Sequence, residues 1–107
     1  MKTFDLQSIS AYPYEHRDKN VLYQAEAFKT RIIELKQGEK LPPDEPCEME
    51  TYVIFYIVSG RIRLNINDQY TETGKDQCVI SEPGNYQMEA LEQTKILGIQ
   101  IQKGKDK

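Results

Sequence analysis

Period-two alternation runs through much of this chain. Ile62, Leu64 and Ile66 alternate with Arg61, Arg63 and Asn65. Leu97, Ile99 and Ile101 alternate in the same way with Gly98, Gln100 and Gln102. Successive residues of a strand point to opposite faces, so these runs predict strands with one buried face, over 61–67 and 95–102. Further runs rich in β-branched and aromatic residues fall at 20–26, 28–37, 51–59, 70–74, 77–81 and 86–91. No window offers a long amphipathic helix.

The connectors carry turn chemistry. Gly60, between two strands in "VSGRI", is a tight-hairpin signal. Asn67 and Asp68 tolerate left-handed backbone, and "SEPGN" (81–85) holds a Pro-Gly turn. "LPPDEP" (41–46) is no central strand, because its prolines lack donors. "SAYPYEHRDK" (10–19) reads as a loop. Many short strands at regular spacing predict an all-β sandwich or barrel.

One run departs from alternation. In "TYVIFYIV" (51–58) both parities are apolar or aromatic. Such a strand is covered on both faces. The cover is either a local N-terminal strand or a second subunit in an isologous homodimer, and a small domain has little surface to spare for the first.

Composition narrows the picture. The chain has 107 residues, one domain's worth, and a net charge of −3 with both signs interspersed. That balance argues against a dedicated nucleic-acid or membrane-surface binder. The lysines at 103, 105 and 107 form a short basic tail. No apolar run approaches the roughly 20 residues of a spanning helix. "MKTFDLQSIS" lacks the apolar core of a secretory signal, so a cytoplasmic location is expected. Cys47 and Cys78 are the only cysteines and are expected as thiols there. Cys78, alternating with Ile80, reads as a buried small hydrophobe.

Taken in order, four stretches resemble the small single-domain cupins: "ELKQGEKLPP" (34–43), "ETYVIFYIVSGRIRLNIND" (50–68), "GKDQCVISEPGNYQMEAL" (74–91) and "KILGIQI" (95–101). The resemblance covers residues 28–102. It implies a double-stranded β-helix, or jelly-roll barrel, with little helix. Residues 1–27 would form an N-terminal arm and strand, and 103–107 the tail. Cupins carry closely spaced His residues, a Glu and a later His as metal ligands. Counting back from Gly60 puts the Glu at Val53 and the first His pair at Cys47 and Met49, or at Pro46 and Glu48. The later His falls at Tyr86 or Gln87. The single His of the chain, His16, lies outside both motifs. A family-type metal centre, with several imidazoles and a carboxylate, is therefore not expected, and no cofactor is predicted.

The emptied ligand positions become the candidate pocket: Cys47, Met49, Val53, Tyr86, Gln87 and Met88. Cys47 and Met49, with Glu48, are the weak possibility for a soft metal; as core fillers they need none. Glu48 and Glu50 share a face if 46–52 is extended, as solvent-facing charges or an acid/base pair. Arg31 and Arg63 either reach the barrel mouth and hold an anion or lie on exposed strand faces. His16, in "YPYEHRDK", either approaches a barrel mouth, its own or a partner's, or lies on a surface loop, the commoner place for such a residue. Three functions follow: a dimeric module binding a small organic molecule, a cupin-type isomerase or dioxygenase with an atypical site, or an interaction domain.

Overall fold

Residues 1–101 are described by the computed structural model, and the basic tail, with Gln102, lies outside them. Each expected run forms a strand: β1 (Val21–Gln24), β2 (Phe28–Leu35), β5 (Tyr52–Ser59), β6 (Arg61–Ile66), β7 (Gln69–Gly74), β8 (Cys78–Ser81), β9 (Gly84–Ala90) and β10 (Thr94–Ile101). The proline-rich stretch adds two short strands, β3 (Lys40–Leu41) and β4 (Cys47–Met49), on either side of "PPDEP". Residues 10–19, expected as a loop, lead into 3-10 turns over Tyr14–Asn20. No helix among the described residues is long and apolar enough to cross a membrane.

The strands form two antiparallel sheets. One runs β1-β2-β10-β5-β8; the other runs β3-β9-β6-β7, with β4 also on β9. Their facing sides enclose the core. Val53, Phe55, Ile57, Ile96 and Leu35 come from the first sheet, and Met49, Ile62, Leu64, Met88 and Ala90 from the second. The alternation of β6 is realised as expected. Ile62 and Leu64 are buried, while the exposed Arg61 and Arg63 pair with Glu72 on β7 at 3.4 and 3.5 Å.

The face of β10 is the reverse of the expectation. Its register sets Ile96 opposite Ile33 and Ile57, and Gly98 opposite Arg31 and Phe55. Cross-strand partners share a face. Ile96, Gly98 and Gln100 therefore look into the core, and Leu97, Ile99 and Ile101 look outward. The outer face is apolar because the N-terminal arm partly covers it. Phe4 and Leu6 gather with Leu22, Phe28 and Leu97 there. The nearly buried Lys95 ties the arm down, its Nζ donating to the Leu6 and Gln7 carbonyls at 2.9 and 3.1 Å.

Two further expectations change. Gly60 makes no hairpin: β5 and β6 lie in different sheets, and the chain turns the corner at its φ of +90°. A Cβ there would collide with the Gln93 carbonyl and with Thr94. Cys78 is exposed, because β8 is an edge strand and its alternate residue Val79 takes the inward place. By contrast, Asn67 and Asp68 do form the β6–β7 turn, with φ of 52° and 66°.

Candidate functional site

A cavity of about 240 Å³ opens between the sheets at one end of the barrel. Its floor is apolar: Ile33, Leu35 and Val53 with Phe55 from the first sheet, Leu41 and Met49 from the second. Arg31, Gln100, Cys47 and Tyr86 supply its polar wall. Tyr12, Tyr14, Arg17 and Asn20, from the segment before β1, line its mouth.

Strand register explains who faces in. β4 pairs with β9 so that Cys47 meets Tyr86 and Met49 meets Gly84. These pairs point inward, while Glu48 and Asn85 between them point away. Gln87 belongs to the outward parity, and its Nε2 donates to the Pro42 carbonyl at 2.9 Å. Met88 faces in but is fully buried in the core, beneath the cavity lining. Of the six pocket candidates, Cys47, Met49, Val53 and Tyr86 line the cavity, and Gln87 and Met88 do not.

Tyr86 is the half-buried polar group at the centre of the wall. Its ring lies 6.1 Å from that of Phe55, tilted by 34°. Burial, then the neighbouring Cys47 and Tyr14, push its hydroxyl up to about 12, against a smaller opposing pull from Arg31. It is a neutral hydrogen-bond donor over the physiological range.

Asn20 fixes the mouth. Its side chain is buried, accepts from the Tyr12 amide at 2.7 Å and donates to the Tyr12 carbonyl at 3.1 Å. Arg17 donates to the Tyr14 carbonyl at 3.0 Å and lies 4.0 Å over the Tyr14 ring. His16 is exposed on the same turns and is not part of the lining. The segment "YPYEHRDK" does reach the mouth, but through Tyr12, Tyr14 and Arg17 and not through His16, the residue the sequence pointed to.

The donors fit no imidazole–carboxylate metal centre. At the counted positions stand a thiol, a thioether, an aliphatic side chain and a phenol, from Cys47, Met49, Val53 and Tyr86. Glu48 cannot join Cys47 and Met49, because alternate residues of β4 point to opposite faces. Among the described residues no three His, Cys, Asp or Glu side chains converge. Nor is 46–52 one extended run: β4 ends at Met49 and β5 begins at Tyr52, so Glu50 falls in the break. Arg63 lies on the outer side with Glu72, whereas Arg31 reaches the cavity.

No protein-family model and no curated protein matches the sequence. Solved structures do match the fold. A cupin protein of the RmlC-like kind from Desulfovibrio desulfuricans superposes with a TM-score of 0.76 at 15% identity, over 94% of this chain and 96% of that one. The cupin domain of Schizosaccharomyces pombe Cnp3 gives 0.73 at 17% identity, over 94% and 74%. A conserved Streptococcus pyogenes protein of unknown function gives 0.68 at 15%, over 79% and 73%. Sheet order, the sheet-crossing corner at Gly60 and these superpositions agree: this chain is a small domain with the cupin jelly-roll fold.

Proposed function

We propose that this protein binds a small organic molecule in its barrel without the metal centre of the fold's better-known members. The observation that carries the reading is the cavity itself, an apolar floor under a wall with few polar groups. Such a combination suits a ligand that buries a hydrophobic body and is oriented by a few hydrogen bonds. Tyr86 holds its proton to high pH, which suits a donor and not a general base. The working unit in this reading is a homodimer. Tyr52, Ile80 and Ile101 are 52%, 69% and 41% exposed on the outer side of the first sheet, a face a second copy would cover. A cytoplasmic setting accords with two free thiols.

A fragment screen by ligand-observed NMR tests the cavity. Gly98 lines it, and the nearest atoms to a Cβ there belong to Ile33 and Phe55, at ordinary contact distances of 3.5 and 3.7 Å. Gly98→Val therefore fills the space from within the strand. Fragments that bind the native protein and not this variant support the reading. Binding that survives the substitution places the fragments elsewhere and overturns it, as does a screen without hits.

A further inference from the structure

We infer that the ligand is a small organic anion, a carboxylate on an apolar body of roughly eight to ten non-hydrogen atoms, and that Arg31 grips it. This rests on the binding reading above and names its ligand class. The size follows from the cavity, since about 240 Å³ equals roughly eight water-sized units at about 30 Å³ each.

Arg31 sits where a cation needs a reason. Its register partner across β10 is Gly98, whose other partner is Phe55. The guanidinium stem thus enters on the same inward face as Phe55, and Gly98 leaves the room beside it. Its Nε is buried without a hydrogen-bond partner. Among the described residues the ion pairs are Arg61–Glu72, Arg63–Glu72 and Lys95–Glu34, so no carboxylate answers Arg31. The side chain as a whole is half-buried, so the cost falls on this one N–H, which is buried without an acceptor and which an arriving carboxylate can answer.

The other charges agree. Glu34 is the acidic residue of the lining, and it is committed elsewhere: Oε1 accepts from the Ala11 amide at 2.8 Å, and Oε2 lies 3.9 Å from Lys95 Nζ. Arg17 adds a second cation at the mouth. This local excess stands in a chain of net charge −3, so it is no reflection of a basic protein. Tyr86 offers a neutral hydroxyl on the same wall as a second donor. The apolar floor of Val53, Phe55 and Met49 favours an organic acid over inorganic phosphate.

Titrations of the whole protein with benzoate, benzamide and inorganic phosphate, followed by NMR, test this. Benzoate and benzamide match in shape and differ in charge. Benzoate is expected to bind at least about tenfold tighter than benzamide, as a charge-assisted hydrogen bond provides, and phosphate more weakly than benzoate. Arg31→Gln is expected to abolish the acid preference with an unchanged circular dichroism spectrum, and Arg31→Lys to retain part of it. Equal binding of benzoate and benzamide to the native protein overturns the role of Arg31 and leaves the pocket standing. Phosphate binding as tightly as benzoate, undiminished by Gly98→Val, assigns the effect to surface charge and overturns the inference. If neither organic probe binds, pocket and anchor fall together. The acid–amide comparison needs no variant, so it decides even if Arg31→Gln fails to fold.

Discussion

The rings of Phe55 and Tyr86 meet across the two sheets, 6.1 Å apart between centroids and tilted by 34°. One comes from β5 and the other from β9, so this contact joins the halves of the barrel at the cavity wall. An aromatic pair of this kind adds about 0.5–1.5 kcal/mol beyond the area it buries. It also holds the Tyr86 hydroxyl in surroundings that disfavour its anion.

That environment has a pH signature. The Tyr86 hydroxyl is raised from 10.0 to about 12, chiefly by burial. The unfolded chain therefore releases this proton at lower pH than the folded one. The stability carried by the neutral phenol is complete below pH 10 and is lost as pH rises through about 12. The Tyr56 hydroxyl is raised as well, chiefly by its 2.7 Å bond to Asp76, so alkaline titration of phenolate absorbance should show a late component that Tyr86→Phe diminishes by one phenol. A Tyr86→Phe protein with the same late component would refute the assignment.

The corner at Gly60 should tolerate no side chain. Its φ is +90°, and Thr94 fills the space beside it. The Thr94 hydroxyl accepts from the Arg61 amide at 3.0 Å and lies 3.1 Å from the Arg61 carbonyl. Gly60→Ala is expected to cost more than about 1 kcal/mol through strain and collision. Thr94→Val, which leaves the Arg61 amide unanswered, should cost about 1–3 kcal/mol. Urea midpoints measured at constant slope report both losses.

Asn20 should govern the mouth of the cavity more than the core. Asn20→Ala removes both bonds to the Tyr12 backbone, at 2.7 and 3.1 Å, at a cost of about 1–3 kcal/mol. Hydrogen exchange should rise over residues 11–20 while β5 and β10 stay protected. Uniform loss of protection across the sheets would show instead that Asn20 supports the whole fold.

The dimer has its own test. Ile80 is 69% exposed on the outer side of β8. Sedimentation velocity should find the native protein dimeric and Ile80→Glu monomeric with its circular dichroism unchanged. A native protein that sediments as a monomer at tens of micromolar rules the dimer out.

The sequence by itself determined the strands. Alternation and turn residues mark nearly every element, because pleat and turn geometry act on neighbours in the chain. It also determined that imidazoles are missing, since a chain with one histidine cannot supply several wherever it folds. Tertiary structure alone decided which way the mixed strands face. In β2 one parity holds Arg31, Ile33 and Leu35 and the other Thr30, Ile32 and Glu34, so polarity does not choose between them. Pairing with β10 chooses, turning Arg31 inward and Leu97 outward. The arm that covers the outer face and the turns that bring Tyr14 and Arg17 to the mouth come from far along the chain. Local periodicity holds no record of such contacts, because they are set by where sheets close and not by what stands next in sequence.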